Sequence, residues 1–214
     1  MKRYIYLISP IKIKNKKFYS DLNKVLKTNK VKYFQVRLKK ESISNLIKIS
    51  KKIKKITKKN RVKLLINDNP SVAKMVNADG CHIGQSDISI SESRKILGKN
   101  KIIGITCHNS INLARKAIKD GANYLAFGAF YSSETKKVKY RANIKILNLA
   151  KKIKNIPVVA IGGIKLNNYK KLLLNKANFL AISGYIWENK KYKPLEAIKK
   201  LKWKFMQVKL ELEC

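Results

Sequence analysis

Short apolar runs recur along the chain, each followed by a longer stretch in which apolar residues return every three or four positions among lysines. The runs are Tyr4 to Ile8, Tyr33 to Arg37, Lys63 to Asn67, Gly80 to Ile83, Ile102 to Thr106, Tyr124 to Phe127, Val158 to Ile161 and Phe179 to Ile182. Runs of this length, rich in Ile, Val, Tyr and Phe, predict strands; the segments between them predict amphipathic helices. Ser42 to Thr57 places Ile43, Leu46, Ile47, Ile49, Ile53 and Ile56 near one helix face, and Ser110 to Asp120 is followed by Gly121 as a stop. A last helical stretch is predicted from Pro194 to about Val208. Strand and helix alternate throughout, which forces parallel pairing under a cover of helices. Eight such units in about 200 residues select a closed (β/α)8 barrel, an α/β fold, over an open flavodoxin-like sheet. No linker interrupts the alternation, so residues 1–214 are expected to form one catalytic domain.

In such a barrel the chemistry gathers where strands end. The second strand closes on Gln35-Val36-Arg37-Leu38-Lys39, where Gln35, Arg37 and Lys39 share a face. Inward-facing groups of this kind are costly to bury without anionic or hydrogen-bonding partners, so they form a candidate phosphate cradle. The third strand ends Ile66-Asn67-Asp68, and the fourth leads through His82, Gly84 and Gln85 to Asp87. Neighbouring strands lie about 4.8 Å apart, so Asp68 and Asp87 can converge. Either alone is ordinarily a helix cap or turn former, but a close pair wants a cation, and oxygen donors completed by water and phosphate suit Mg²⁺ better than zinc. Ala160-Ile161-Gly162-Gly163-Ile164 and Ala181-Ile182-Ser183-Gly184 fall after the seventh and eighth strands, where this fold commonly grips phosphate through backbone N–H groups. The longest loop, Gly128 to Ala142, is polar and placed where a lid belongs.

Composition changes the picture less than its size suggests. Lys and Arg number 50 against 12 Asp and Glu, a formal charge of +38, which invites a polyanion partner. Yet Arg, the preferred group for bidentate recognition, occurs only at positions 3, 37, 61, 94, 115 and 141, and the lysines are spread over every helix. Specific nucleic-acid binding is not expected, and the partners are small phosphorylated molecules. Cys81, Cys107 and Cys214 lack disulfide spacing, which fits a reducing cytoplasm. The N-terminal apolar run is too short for a signal or a membrane span. A homo-oligomer is compatible with the fold. Zinc at Cys81-His82 or Cys107-His108 is disfavoured, because adjacent strand residues face opposite ways; packed cysteines and hydrogen-bonded histidines are expected.

Taken in order, Gln35-x-Arg37-x-Lys39, Ile66-Asn67-Asp68, Ala78-Asp79-Gly80-x-His82-x-Gly84-Gln85-x-Asp87, Gly104-x-Thr106-x-His108, Thr135-Lys136 and Ala160-Ile161-Gly162-Gly163-Ile164 span nearly the whole chain. In this set the chain resembles the thiamine phosphate synthase family. The resemblance implies an enzyme that joins hydroxymethylpyrimidine diphosphate to thiazole phosphate, releasing pyrophosphate, with C–O cleavage largely preceding C–N formation. It implies that Arg37, Lys39, Asn67, Ser133, Thr135 and Lys136 hold the pyrophosphate and that Asp68 and Asp87 hold Mg²⁺. Gln35 and Thr106 would then address the pyrimidine, while Gly163 and the Ile182-Ser183 backbone take the thiazole phosphate. Arg37, Lys39 and Lys136 carry the catalytic role.

The chain departs from the family pattern at Ser133, where Thr is usual, at Thr106, where Ser is usual, and at Lys176-Ala177-Asn178-Phe179 in place of Gly-Ala-Asp-Gly. The first two keep a hydroxyl. Two alternatives stay open: a thiazole tautomerase-like relative, against which Ala129 counts because a histidine is needed there, and a catalytically dead polyanion-binding barrel, which has no need of two Asp opposite three cations. Duplex DNA should accordingly bind weakly and with steep salt dependence, measurable by titration at several salt concentrations; sequence-specific nanomolar binding at physiological salt would contradict it.

Overall fold

The structure is a computed structural model that describes residues 3–13, 15–132 and 140–202. Eight parallel strands close into a barrel in sequence order: β1 Tyr4–Ile8, β2 Val31–Val36, β3 Lys63–Asn67, β4 Gly80–Ile83, β5 Ile102–Thr106, β6 Tyr124–Phe127, β7 Val158–Ile161 and β8 Phe179–Ile182. Around them run α1 Lys17–Leu26, α2 Ile43–Lys59, α3 Pro70–Met75, α4 Ile90–Leu97, α5 Ile111–Lys119, α6 Lys145–Ile153, α7 Tyr169–Leu174, α8 Gly184–Trp187 and α9 Pro194–Lys200. The expected (β/α)8 barrel is therefore the fold.

Local chemistry sets the helix ends. Ser42 accepts from the Asn45 N–H and starts α2, Ser110 accepts from the Leu113 N–H and starts α5, and Ser89 with Glu92 makes a full capping box at α4. Gly121, just past α5, has φ +88, the left-handed conformation that stops a helix.

Two boundaries differ from the sequence pattern. β2 spans Val31–Val36, so Arg37 lies past the strand, where its N–H donates to Ser9 Oγ at 2.9 Å. The last helix ends at Lys200, because Leu201 turns out of helical conformation at ψ 86. Lys30 Nζ donates to the carbonyls of Ile198 and Leu201 there, at 3.1 and 2.8 Å, and so closes the end that the apolar spacing would have carried on. Residues 203–208 of that expectation lie outside the described residues.

Strand alternation divides the core in two. Ile5, Leu7, Phe34, Val36, Leu64, Ile66, Cys81, Ile83 and Leu180 face outward under the helices. Tyr6, Ile8, Leu65, Tyr124, Ala126, Val159, Phe179 and Ala181 fill the lumen. The lumen is crowded with rings: Tyr33 stacks on Phe179 with centroids 4.7 Å apart, and Tyr6 meets Tyr124 edge-on at 5.7 Å. Room for Tyr124 comes from Gly104, where a Cβ would lie 1.8 Å from the Tyr124 Cζ. Gly104→Ala should therefore destabilise the barrel by about 1–3 kcal/mol through overpacking. A urea midpoint unchanged from wild type would show that Tyr124 does not occupy that space.

Candidate active site

The inward faces of β2 to β5 each end in a polar residue at the carboxyl rim, whereas those of β1, β6, β7 and β8 end in Ile8, Ala126, Ile161 and Ala181. Gln35, Asn67, His82 and Thr106 follow Tyr33, Leu65, Gly80 and Gly104 at two-residue spacing, on the lumen side of β2 to β5. Gln35 and His82 are nearly fully buried, whereas Asn67 and Thr106 are half-buried at the opening. Arg37, Lys39, Asp68 and Asp87 continue just beyond the strands, so the expected cradle and acid pair stand on one end of the barrel.

At the rim the charges meet directly. Lys39 Nζ lies 2.8 Å from Asp68 Oδ2, and Asp87 Oδ2 accepts from the Gly84 N–H at 2.7 Å. Asp68 takes a left-handed φ of 60, which short Asp tolerates, and its N–H donates to the His82 carbonyl at 2.7 Å. The Asp68 and Asp87 carboxyls come within hydrogen-bonding reach of each other. Loss of solvent, with the Asp68 charge added, pushes the Asp87 carboxyl above its ordinary value against the opposing Gly84 N–H and Lys39. Asp79, at the other end of the strands, shows the contrast. Its burial also works upward, but Lys54 at 2.7 Å, the Leu64 N–H and Lys63 at 3.1 Å hold it below the usual carboxylate range. One acid is satisfied by the protein itself; the other is left with too much negative charge beside it. Oxygen donors in surplus of this kind fit a hard divalent cation.

Beneath the rim runs a hydrogen-bonded chain of side chains. Gln35 Nε2 donates to Tyr6 Oη at 2.9 Å, Tyr6 Oη lies 2.8 Å from Tyr124 Oη, Tyr124 Oη lies 2.8 Å from His82 Nδ1, and His82 Nε2 lies 2.9 Å from Thr106 Oγ1. Burial pushes both phenols far above their ordinary range and pulls His82 down to about 4, with Asp87 opposing and Arg37 reinforcing the shift. His82 is thus a neutral imidazole, and Cys81 beside it faces the outer core, its thiol pushed up to about 12 by burial. The Cys-His dipeptide splits across the sheet as strand geometry requires. Neither Tyr6 nor Tyr124 stood out in the sequence, since each sits inside an apolar run; their alternate placement on the inward face was the available signal.

The loops after β6, β7 and β8 complete the opening. Gly163 has φ +58, and a Cβ there would lie 2.2 Å from the Ser132 carbonyl; at Gly162, φ +102, it would meet the Ala129 Cβ at 2.4 Å. The glycine pair thus admits the backbone of the preceding loop, which docks through the Phe130 N–H on the Ile161 carbonyl and the Tyr131 N–H on the Gly162 carbonyl, at 3.1 and 3.2 Å. That close approach is a structural demand the sequence pattern did not reveal, beside any phosphate contact. Ile182 faces outward and is buried, which leaves only its backbone for a ligand, and Ser183 Oγ donates to the Ser9 carbonyl at 2.9 Å. Ser133, Thr135 and Lys136 lie outside the described residues.

A closed barrel with cations, paired acids and glycine-bearing loops at the carboxyl ends of its strands has the form of a (β/α)8 enzyme, with its polar groups gathered at the end where such barrels carry their sites. Residues 5–186 match the family model described as thiamine monophosphate synthase. The chain is 67% identical over 201 residues to a thiamine-phosphate synthase of Pelagibacter ubique, covering 94% of this chain and 97% of that one. It is 42% identical over 153 residues to the same-named protein of Nitrosomonas eutropha, covering 72% of each. Among solved structures it superposes on a thiamine phosphate pyrophosphorylase from Pyrococcus furiosus with a TM-score of 0.81 at 25% identity, covering 92% of this chain and 93% of that one. The chain belongs to the thiamine monophosphate synthase family.

The buried His82 carries a stability signature. Unfolded, it takes up a proton near pH 6.5; folded, only near 4. Between those values the unfolded state binds more protons, so this group's contribution falls as pH drops from about 6.5 to about 4, by about 3 kcal/mol in all, and is constant above that window. Urea unfolding of wild type and His82→Gln at pH 7 and 4.5 should show a smaller acid-induced loss in the variant; equal losses would rule the buried neutral imidazole out.

Proposed function

We propose that the chain joins hydroxymethylpyrimidine diphosphate to thiazole phosphate, making thiamine phosphate and pyrophosphate. The observation that carries this is the rim itself, where Lys39 pairs with Asp68 beside the mutually repelling Asp87, with Arg37 just past the end of β2, above a neutral polar floor. Family membership supports the same activity.

The reaction breaks the C–O bond of the diphosphate ester, the electron pair leaving with pyrophosphate, and forms a C–N bond from the thiazole nitrogen lone pair. No proton need move at the reacting centre, and no general base is assigned. Arg37, Lys39 and Asn67 bind the diphosphate at the rim, joined by Ser133, Thr135 and Lys136 from the loop after β6. Asp68 and Asp87 hold Mg²⁺, which when bound neutralises charge on the diphosphate oxygens. Lys39 is shared between the Asp68 carboxylate and the substrate, so binding of the diphosphate exchanges one anionic partner of Lys39 for another. Gln35 and Thr106 orient the pyrimidine over the lumen, with Tyr6, Tyr124 and His82 excluding water below it. The N–H groups at Gly163 and around Ile182 and Ser183 receive the thiazole phosphate.

The test is incubation of the protein with both substrates and Mg²⁺, with thiamine phosphate and pyrophosphate followed together; equimolar appearance is expected. Asp87→Ala and Lys136→Ala should each raise the barrier by about 3–4 kcal/mol, the scale of one strong stabiliser of developing charge. Excess Mg²⁺ should partly restore Asp87→Ala and leave Lys136→Ala unchanged. Wild-type rates in both variants at saturating substrate would overturn the assignment.

A further inference from the structure

The buried chain from Gln35 to Thr106 has a direction that follows from its chemistry. Gln35 meets Tyr6 through an amide N–H, which can only donate, so the Tyr6 oxygen accepts there, and its own buried O–H is satisfied by donating to Tyr124 Oη at 2.8 Å, the other partner its oxygen has among the described residues. Tyr124 then receives from Tyr6 and has one hydrogen left, aimed at His82 Nδ1 at 2.8 Å. Both phenols keep their hydrogens, because burial pushes them far above the ordinary phenol range. A neutral imidazole that accepts at Nδ1 carries its hydrogen on Nε2, 2.9 Å from Thr106 Oγ1. Thr106 therefore accepts from His82, and among the described residues no other partner claims its hydroxyl hydrogen. Thr106 stands at the lumen-facing end of β5, half-buried at the opening.

We propose that Gln35, Tyr6, Tyr124 and His82 form a polarity relay that locks His82 as the Nε2–H tautomer and makes the Thr106 hydroxyl a hydrogen-bond donor to an acceptor nitrogen of the bound pyrimidine. If Tyr124 donated to Tyr6 instead, Tyr6 would accept from both Gln35 and Tyr124 and its own buried hydrogen would be left without an acceptor, while Thr106 would have to donate to His82 and offer only its oxygen. A substrate that presents an acceptor at that point is selected over one that presents an N–H. His82 touches no substrate in this scheme; it is a positioning residue acting through Thr106. The tautomer is a property of the protein alone, and only the choice of ligand rests on the synthase assignment.

The chain has two histidines, His82 and His108, so ¹⁵N-histidine labelling of the full chain gives two imidazoles, and His108→Asn assigns them. Wild type should show a pyridine-type Nδ1 and a protonated, pyrrole-type Nε2 for His82; a proton on Nδ1, or an averaged mixture, overturns the relay. Tyr124→Phe removes the donor to Nδ1 and should convert His82 to a tautomer mixture. It should also raise KM for hydroxymethylpyrimidine diphosphate roughly tenfold while leaving KM for thiazole phosphate in place. Thr106→Val should show the same KM split and Thr106→Ser should not; equal KM values in the two Thr106 variants would also overturn it. The wild-type spectrum and the Thr106 pair decide the matter even if Tyr124→Phe fails to fold. An Nε2–H imidazole in a protein without synthase activity would refute the proposed function and leave the relay standing, whereas an active synthase with Nδ1–H would do the reverse.

Discussion

Two phenols face each other across the lumen, Tyr6 from β1 and Tyr124 from β6, their oxygens 2.8 Å apart in a space closed to solvent. Barrel closure puts them there: once eight strands pair in order, every second side chain must share one narrow interior, and polar atoms inside it need partners from the same interior. An unpaired buried hydroxyl costs about 1–3 kcal/mol, so the pair is sustainable only because Gln35 and His82 extend it and Thr106 ends it at the rim. Gly104 is bound into the same requirement, since any side chain there would occupy the Tyr124 ring. The floor of the site and the core of the barrel are therefore one structure.

Above that floor the electrostatics follow from scarcity. With 12 acids among 214 residues, an acid left in a field of cations would be expected to sit low, as Asp79 does between Lys54 and Lys63. Asp87 goes the other way because Asp68 shares its site and solvent is withdrawn. Two carboxylates kept close in so basic a chain hold a local negative charge that the fold itself does not need. The large overall charge, by contrast, resides on exposed helix lysines, where salt screens it within about 8–10 Å. What distinguishes the mouth is arrangement at short range.

The architecture was legible because a parallel barrel repeats one signal eight times, and an error in one unit leaves the count intact. Seven strands coincide with their apolar runs; β2 starts two residues early, at Val31, because Lys32 interrupts the run and is skipped where the register with β1 shifts between Ile5 and Tyr6. Gln35 was legible as a polar group at an inward position of an apolar strand, whereas Asn67 and Thr106 were legible only through the family resemblance and His82 was expected only as a hydrogen-bonded histidine. Tyr6 and Tyr124 were not legible, because a tyrosine within an apolar run reads as core, and only the closed lumen shows that their hydroxyls meet. The end of α9 depended on Lys30, some 170 residues away in sequence. No local pattern encodes such a partner.

The glycine pair after β7 shows how packing and ligand binding can ask for the same residue. At Gly162 and Gly163 the missing side chains are replaced by Ala129, Tyr131 and Ser132 of the neighbouring loop, whose backbone then bonds to Ile161 and Gly162. Ala129 in turn donates to the Tyr140 carbonyl at 3.0 Å and accepts from the Ala142 N–H at 2.9 Å, so both ends of the long loop are pinned beside the β7 rim. The base of that loop is thereby tied to the strand that carries the glycine pair. A side chain at 162 or 163 would first displace the loop base at Ala129, Tyr131 and Ser132. The conformation of the turn after β7 and the anchorage of the loop base would be lost together, which couples the β6 and β7 ends of the rim through backbone packing alone.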